Sequence, residues 1–524
     1  MSVGDPNRTP PKIPQVTSNT LSEFKVDHHD VIKHLKKLNV NKATGPDKIS
    51  PRILKSCASL LSHPITSILN RCIEDGQWPH EWKTSYIVPV HKKGSRAELK
   101  NYRPVSLLSI MSKTCEKKLY EQLVEHLSTN KLISERQYGS RKGRPAADLH
   151  LLLTSRWSAA LDKGLKTLVL AVDIDGAFDR VWHQGLLTKL ESMGVTGTAL
   201  SLFRDYLTGR QLQVVIGGVT SKPRTIQAGI PQGSVLGPLL WLIMSNDALQ
   251  MLPEADAFVD DVTLSRSYHP EHEATTIKQM EGWLELLQKW GRLWQVEFAA
   301  HKTQLMIIWR SPALTYMNFG GKIIKSTHEL EILGILYDKT LSFHQHILKI
   351  SRKGAGKIAA LRRISWLTSQ KDLETLYKAQ VRSVIEYAPL SWGGASPTHL
   401  ALLDKVQRRA ERVIYGEQAT RLQPLQQRRD VAGMGAMFRI QQQKVEHLQE
   451  LRQPRRPIPR LTREVARSEH ALAVPRCHTL HHQRQFVAKY TSLWNRFMEV
   501  HDSTRSWSLQ SFKCAANRWL SDPG

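Results

Sequence analysis

The sequence of 524 residues has no apolar run long enough to cross a lipid bilayer, which takes about 18 consecutive apolar residues in a helix. The longest run, Val235 to Met244, reaches about half that length and contains Gly237 and Pro238. The N-terminal stretch MSVGDPNRTPPKIPQ lacks the apolar core of a signal peptide. We therefore expect neither a membrane-spanning nor a secreted protein.

Cysteine is scarce, and the five that occur are an odd number scattered far apart. Their scatter excludes a disulfide framework and a Cys-rich zinc knuckle, which needs closely spaced ligands. We expect reduced thiols in an intracellular protein, nuclear or cytoplasmic.

Acidic side chains are in deficit. Lys and Arg number 74 against 47 Asp and Glu, which gives a net charge of +27. Hydrophobic residues make up 41% of the chain, so global disorder is excluded. A strongly basic folded protein indicates a polyanionic partner, nucleic acid in the first place and an anionic membrane surface in the second.

Hydrophobic patterning predicts an α/β or α+β arrangement over residues 160–340 and a helical C-terminal part. Residues 1 to about 22, rich in Pro, Ser and Thr, are expected to form a disordered tail. Helical patterns follow, and after residue 343 all patterns are amphipathic, basic and helical. Strands are predicted at TLVLAVDI (167–174), LQVVIGG (212–218), FVDDVTLS (258–265), TQLMIIW (303–309) and LEILGILYD (330–338), and a buried helix at 236–252.

Five acidic residues fall in two clusters beside predicted strands. AVDIDGAFD holds Asp173, Asp175 and Asp179 at the end of a buried strand, and FVDD holds Asp260 and Asp261 at a turn. Carboxylates that converge there need a cation to relieve their repulsion. Oxygen-only ligands suit Mg²⁺ or Mn²⁺, and two such ions about 4 Å apart align a 3′-hydroxyl with a leaving pyrophosphate. On spacing alone, a solvated turn is the simpler explanation of FVDD.

The segment AGIPQGSVLGPLLW (228–241) predicts a tight loop entering an apolar helix. Its small residues let the backbone approach a planar ligand, and Gln232 offers an amide near the helix start. Taken alone, the segment is explained better by an ordinary loop-to-helix turn.

In order along the chain, these segments resemble the reverse transcriptases of non-LTR (LINE-type) retrotransposons, most like the jockey-type elements. The resemblance covers about residues 25–420 and depends on the ordered combination rather than on any single block. The blocks are KATGPDKISPRILK (42–55), SYIVPVHKKG (85–94), NYRPVSLLSIMSK (101–113), RQYGSRKGRPAADL (136–149), AVDIDGAFDRVWH (171–183), GIPQGSVLGPLLW (229–241), FVDD (258–261), HKTQLM (301–306) and LEILGILYD (330–338).

The resemblance implies an α+β right-hand polymerase. Its parts would be a disordered tail (1–24), fingers with an N-terminal extension (25–160), a palm with a small antiparallel sheet and part of the fingers (161–342), a helical thumb (343–420) and a helical C-terminal extension (421–524). The basic thumb would contact the duplex backbone. For the C-terminal extension, a packing module and a nucleic-acid-binding module stay open.

The resemblance also implies a metal site. Asp173 and Asp260 match the essential metal ligands and Asp261 a supporting one, while the carbonyl of Val172 or Ile174 could complete a metal shell. The site would hold two Mg²⁺ or Mn²⁺ ions.

Further residues match those that contact the incoming nucleotide. Gln232 matches the residue that lies against it, and Arg103 resembles the fingers arginine that meets the triphosphate, with Lys92 or Lys93 as a second contact. Lys302 matches a lysine that protonates the leaving pyrophosphate, with an ordinary surface lysine as the alternative.

Phe178 matches the aromatic gate that excludes the 2′-hydroxyl of a ribonucleotide, with simple core packing as the alternative. Asp175 and Asp179 carry no implied metal role, and Asp179 is expected to hold its loop through hydrogen bonds. Val259 stands where the family more often has alanine, a change that we expect the site to accept.

The function implied is RNA-directed DNA synthesis from a 3′-hydroxyl primer, with template RNA, a DNA primer or target and dNTPs as partners and no membrane. A catalytically silent nucleic-acid-binding remnant is the main alternative, and a group II intron maturase is a more distant one. A viral RNA-dependent RNA polymerase is disfavoured by Phe178. About 24 residues precede the stretch that the resemblance covers, so we expect no endonuclease domain here, as in a truncated element, a partial gene or a retained fragment. The sequence does not indicate an oligomeric state.

Overall fold

The computed structural model describes residues 3–92, 94–311, 314–416, 422–456, 471–501 and 507–521. The chain divides into two compact units. The first comprises Met1–Ser140, Asp173–Val262 and Gly282–Ala300, and the second comprises Arg141–Val172, Thr263–Glu281 and His301–Gly524.

Strands end at residue 338, and the described elements beyond it are helical. The strands are β1 (Thr84–His91), β2 (Tyr102–Leu107), β3 (Lys166–Val172), β4 (Gln211–Ile216), β5 (Val219–Thr220), β6 (Arg224–Thr225), β7 (Ala255–Phe258), β8 (Asp261–Tyr268), β9 (Gln304–Ile308), β10 (Tyr316–Phe319), β11 (Lys322–Thr327), β12 (Glu329–Ile332) and β13 (Ile335–Asp338).

The helices account for most of the remaining described residues, and none of them is both long and apolar enough to cross a bilayer. They are α1 (His28–Lys36), α2 (Pro51–Ser56), α3 (Ala58–Glu74), α4 (His80–Lys83), α5 (Ile110–Thr129), α6 (Ala146–Asp162), α7 (His183–Ser192), α8 (Gly197–Leu207), α9 (Gly237–Gln250), α10 (Glu273–Trp294), α11 (His344–Ile364), α12 (Gln370–Leu376), α13 (Ser383–Ile385), α14 (Pro389–Trp392), α15 (Pro397–Tyr415), α16 (Leu425–Gln441), α17 (Leu480–Gln483), α18 (Phe486–Val500) and α19 (Leu509–Ser521).

The first unit is built on a sheet with the strand order β2-β1-β4-β5, and β6 also pairs with β4. β1 runs antiparallel to β2 and parallel to β4. Around this sheet, α3 packs against α1 and α8, and α7 packs against α8 and α9. The apolar sequence of α9 is buried nearly all round, as the predicted helix at 236–252 requires.

The predicted disordered tail is wrong for residues 3–24. The Leu21 N–H donates to the Gly194 carbonyl at 2.8 Å, and the Phe24 ring is 3% exposed and meets the Phe203 ring edge-on. The many Pro, Ser and Thr residues conceal these apolar anchors, whose partners lie far along the chain. Composition alone therefore misjudged a segment that packs onto the first unit.

The second unit contains a sheet with the strand order β10-β11-β9-β3-β8 and a separate hairpin of β12 and β13. β3 is antiparallel to β9, with Leu170 opposite Leu305, whereas β11 runs parallel to β9. The sheet is therefore mixed rather than purely antiparallel as predicted. Leu168, Val169 and Leu170 are fully buried, as expected for a strand covered on both faces.

The C-terminal helices of the second unit are joined to α6 by a buried ionic cluster. Asp148 is 5% exposed and accepts hydrogen bonds from Arg439 at 2.7 Å and from His447 at 2.8 Å. Burial would raise the pKa of Asp148, but the bonds from His447 and Arg439 outweigh it and lower that pKa below its ordinary value. The contact favours the packing alternative for this part of the chain.

We expect Asp148→Asn to lower the free energy of unfolding by about 3 kcal/mol near neutral pH, because it leaves the Arg439 guanidinium beside a neutral group. Since the carboxyl pKa is lowered in the folded state, its stabilising contribution is complete above the unfolded pKa of about 4. It is lost as the pH falls through the lower folded value. Urea denaturation across the acid range measures both effects.

Arg156→Gln is the matched control on the same helix. Arg156 makes a two-pronged contact with Glu450, at 2.9 and 2.7 Å to one carboxylate oxygen, but this pair is exposed. We expect a loss below about 1 kcal/mol. Equal losses in the two variants would contradict a special role for the buried cluster.

Candidate active site

Asp173 directly follows Val172, the last residue of β3, and its backbone is fixed within the first unit. The Asp173 carbonyl accepts the Ala299 N–H at 2.9 Å, and the Asp175 N–H donates to the Glu297 carbonyl at 2.9 Å. These two bonds hold the start of the acidic segment against residues 297–299 through the main chain.

Three carboxylates of the first unit influence one another electrostatically. Burial and the charge of Asp173 raise the pKa of Asp260, opposed by its own backbone N–H and by Arg103 and Lys92. Asp261 is open to solvent on one side, yet partial desolvation and the charges of Asp260 and Asp173 raise its pKa to about 6. The structure therefore places Asp173, Asp260 and Asp261 within electrostatic range of one another, as one aspartate cluster.

The turn that carries Asp260 and Asp261 is strained and clamped. Val259 has φ of +63°, a region that β-branched residues rarely adopt. The Val259 N–H donates to Gln137 Oε1 at 3.0 Å, and its carbonyl accepts from Gln137 Nε2 at 3.3 Å and Trp241 Nε1 at 3.2 Å. These bonds overdetermine the backbone and hold it in this conformation.

Gly139 lets its own segment lie directly against that turn. A Cβ on Gly139 would come within 2.4 Å of both the backbone nitrogen and Cγ2 of Val259. Any other residue would have to move the turn. A signal for Gln137 and Gly139 was present in the block RQYGSRKGRPAADL, but no role was assigned to either residue.

Two cations of the β1–β2 hairpin act on the same cluster. The Lys92 N–H donates to the Asn101 carbonyl at 2.8 Å and closes the hairpin, and Arg103 is an exposed residue of β2. Both oppose the raised pKa of Asp260. An exposed guanidinium and an ammonium beside carboxylates suit a triphosphate that arrives with bound cations. Lys93, the other candidate, lies outside the described residues.

The glycine-rich loop is wedged between two backbone segments. Gln232 Nε2 donates to Asp179 Oδ1 at 2.8 Å, which confirms that Asp179 holds its loop by a hydrogen bond. A Cβ on Gly229 would lie 2.7 Å from the carbonyl oxygen of Asp179, and one on Gly233 would lie 2.7 Å from that of Ser106. Glycine is therefore required where the loop touches its neighbours.

The Phe178 side chain is half-buried beside this loop. Its ring centroid lies 6.3 Å from that of Trp241, with 31° between the ring planes. Its carbonyl accepts the Ile230 N–H at 2.8 Å. One side of the ring packs while part of it stays accessible, so packing and a gate are both compatible with its position.

Glu116 supports the far end of the loop and was missed by sequence reasoning. Its fully buried carboxylate accepts the N–H groups of Val235 and Leu236 at 2.7 and 3.2 Å, where α9 begins. Burial raises the pKa of Glu116, although the Arg210 charge and these bonds oppose the rise. The available signal was one acidic residue on the apolar face of α5.

Two predicted site residues belong to the second unit. Val172 is 2% exposed at the end of β3. Lys302 is an exposed residue of the turn before β9, where Gln304 lies opposite Ala171 of β3. Their predicted roles stay predictions.

The donors at the cluster fit divalent cations, since all three side chains offer carboxylate oxygens, which Mg²⁺ and Mn²⁺ prefer. Their mutual repulsion also favours a cation. Among the described residues, three ligand atoms within 4.8 Å of one another occur at Asp27, His28 and His29, and the aspartates are spaced more widely. The ligands of two ions about 4 Å apart lie farther from one another than the ligands of a single ion, so the wider spacing of the aspartates is compatible with a pair of ions.

Residues 90–337 match the family described as reverse transcriptase (RNA-dependent DNA polymerase). That range contains every predicted site residue. The matched residues make up a little under half of the chain. The predicted resemblance to LINE-type enzymes is thereby confirmed, with the relatives below in agreement.

Several relatives are polymerases of transposons. The chain is 28% identical over 404 residues to a "Probable RNA-directed DNA polymerase from transposon BS" of Drosophila melanogaster, covering 74% of this chain and 44% of the relative. It is 28% identical over 396 residues to the corresponding probable enzyme of the X-element of the same species, covering 72% and 42%. It is 29% identical over 409 residues to the "RNA-directed DNA polymerase from mobile element jockey" of Drosophila funebris, covering 74% and 43%. The chain thus spans less than half the length of these relatives.

We expect Gln137→Met to weaken Mn²⁺ binding about tenfold, since it leaves the backbone N–H of Val259 without its partner and lets the turn relax. The free energy of unfolding should fall by about 1–3 kcal/mol. Calorimetric titration with Mn²⁺ and urea denaturation measure the two effects.

Gln122→Met is the matched control. Gln122 clamps another backbone segment in the same way, accepting the Lys25 N–H at 3.1 Å and donating to the Lys25 carbonyl at 2.9 Å. It should destabilise the protein without altering Mn²⁺ affinity. Mn²⁺ affinity that is unchanged in Gln137→Met would show that the clamp does not position the aspartates.

Proposed function

We propose that this chain is an RNA-directed DNA polymerase that extends a 3′-hydroxyl primer with dNTPs on a template RNA. One observation carries the proposal: the charge of Asp173 raises the pKa of both Asp260 and Asp261, and Arg103 and Lys92 act on Asp260, within a segment that matches the reverse transcriptase family. Nucleotidyl transfer requires carboxylates that bind metal ions, and basic side chains close by that bind the phosphates.

Asp173 and Asp260 would hold two Mg²⁺ or Mn²⁺ ions, with Asp261 and the Val172 carbonyl as supporting ligands. When bound, such ions lower the pKa of the primer hydroxyl and neutralise charge on the leaving pyrophosphate. The Gln137 clamp keeps the turn rigid while the charge of the site changes. Preorganised ligands avoid reorganisation during the reaction.

Arg103 and Lys92 are proposed to bind the triphosphate, because both are exposed and act on Asp260. Gln232, held by Asp179, would lie against the nucleotide, and Phe178 would exclude a 2′-hydroxyl. Asp179 itself is half-buried with a raised pKa caused mainly by burial, so it suits a positioning role rather than a metal role.

Lys302 is proposed to donate a proton to the pyrophosphate as it leaves. The finer architecture of fingers (25–160), palm (161–342) and thumb (343–420) is likewise proposed, on the ordered blocks and the basic helices after residue 343. DNA primer or target, template RNA and dNTPs are the proposed partners, in the nucleus or cytoplasm.

We expect Asp173→Asn and Asp260→Asn each to reduce primer extension on poly(rA)/oligo(dT) by at least about a thousandfold, because each removes a ligand that stabilises transition-state charge. Incorporation of labelled dTTP with Mg²⁺ or Mn²⁺ is the measurement. Asp261→Asn should cause a smaller loss.

Asp175→Asn is the control in the same segment, since Asp175 faces Arg180 at 3.7 Å and carries no proposed metal role. It should retain activity within severalfold. Full activity in Asp260→Asn would refute the site. If the unaltered chain binds nucleic acid in a salt-dependent manner but incorporates no nucleotide, the silent remnant is the correct reading.

Phe178→Val should raise the incorporation of rUTP relative to dTTP by at least about tenfold, since removing the ring opens space for a 2′-hydroxyl. Single-turnover incorporation of the two nucleotides gives the ratio. Trp241→Phe keeps a ring packed against Phe178 but removes the Nε1 bond to the Val259 carbonyl, so it should lower both rates and leave their ratio near that of the unaltered chain. An unchanged ratio in Phe178→Val would assign the ring to packing alone.

A further inference from the structure

The second unit exposes three apolar side chains where α11 ends. Ile364, Trp366 and Leu367 are 37%, 79% and 63% exposed. Single exposed apolar side chains are ordinary on protein surfaces, but a largely exposed indole with exposed Ile364 and Leu367 nearby in the sequence is typical of an interaction site. These three residues are named the Trp366 platform here.

The platform is held in place by hydrogen bonds to the end of α11. Trp366 Nε1 donates to the Arg363 carbonyl at 3.0 Å, so the polar edge of the indole is satisfied. The hydroxyls of Ser365 and Thr368 donate to the Arg362 and Ile364 carbonyls at 2.9 and 3.1 Å. Three terminal carbonyls of the helix thus have side-chain partners, and the ring remains exposed.

Positive charge dominates the sequence around the platform. No Asp or Glu occurs between Asp338 and Asp372. Asp372 itself accepts a hydrogen bond from the Ser369 hydroxyl at 2.7 Å at the start of α12. The exposed cations within this stretch are Lys349, Arg352, Lys353, Arg362, Arg363 and Lys371, of which Lys349 is paired with Glu331 at 2.7 Å.

We propose that the Trp366 platform stacks on unpaired bases of a nucleic acid strand while Arg362, Arg363 and Lys371 contact its phosphates. This proposal rests on the proposed function for its class of partner, a nucleic acid. It adds the residues that bind and the single-stranded form of the nucleic acid. Single-stranded nucleic acid is bound by exposed aromatic rings set among cations, because every base offers a π-face and every nucleotide a charge. A duplex hides its bases, so it would not need an exposed indole.

Other partners fit less well. A membrane surface would call for a long amphipathic apolar face, whereas the platform has three side chains. A protein partner or a second copy would be expected to meet some acidic side chains, and the stretch offers none. In a single strand, by contrast, the basic side chains can bind phosphates while the indole stacks on a base.

The test measures binding of the full chain to a dye-labelled single-stranded RNA of about 12 nucleotides and to a blunt duplex of the same sequence, by fluorescence anisotropy. We expect Trp366→Ala to weaken single-strand binding about tenfold and duplex binding less than about twofold. Trp366→Phe should retain most of the affinity. Arg363→Gln should weaken both and reduce the salt dependence.

Tyr316→Ala is the control, because it removes another exposed aromatic ring, 54% exposed on β10, and should change neither affinity. Thermal unfolding checks that Trp366→Ala is folded. Unchanged single-strand affinity in Trp366→Ala, or equal losses on the two ligands, would overturn the proposal. The proposal would also be overturned if Trp366→Ala kept its RNA affinity but lost binding to phosphatidylserine vesicles. The same holds if the variant kept its RNA affinity but lost self-association in sedimentation.

Primer extension separates this inference from the polymerase proposal. A chain that incorporates dNTPs but binds single strands equally well with and without Trp366 would refute the platform alone. A chain that incorporates nothing, yet needs Trp366 for single-strand binding, would refute the polymerase and support the platform.

Discussion

Like charges have to be held together at this site, and the surrounding fold of the first unit supplies the constraint. Asp173, Asp260 and Asp261 repel one another, as the raised pKa values of Asp260 and Asp261 record. Repulsion between partly desolvated charges costs more free energy than repulsion between fully solvated ones. A flexible segment would relax and separate the charges, so the backbone must be fixed by contacts that do not involve the carboxylates themselves.

That demand explains several features that otherwise look unrelated. The bonds of Asp173 to residue 299 and of Val259 to Gln137 and Trp241 all engage the main chain. Glu116 does the same where α9 begins. The strain at Val259 is sustained because three hydrogen bonds and the close approach of Gly139 surround it.

The sequence predicted this site unevenly, for physical reasons. Asp173 and the FVDD turn were recognised because charged residues directly beside buried apolar strands are unusual in a sequence. Strands β3, β4 and β9 were predicted because continuous apolar runs of strand length mark them. The roles of Gln137, Trp241 and Glu116 were missed because all three side chains bind backbone groups, which leave no pattern in a sequence. The partners of Gln137 and Glu116 lie more than a hundred positions away along the chain, and that of Trp241 lies eighteen positions away.

Other departures have the same origin. Strands β1 and β2 were not predicted because the prolines and charges of that hairpin obscure its alternation. The N-terminal tail was misjudged because its anchors, Leu21 and Phe24, find partners far along the chain. Prediction succeeded where a residue's environment is set by its neighbours in sequence and failed where it is set by distant contacts.

The buried contact between α6 and the C-terminal helices bears on where the chain can be shortened. Asp148 lies within the polymerase blocks, while its partners Arg439 and His447 lie beyond the predicted end of the thumb. A fragment that ended at residue 420 would lack Arg439 and His447. The Asp148 carboxylate would then have lost both hydrogen-bond partners, and the face of α6 that carries it would be exposed. The smallest autonomous version of the second unit must therefore extend past His447.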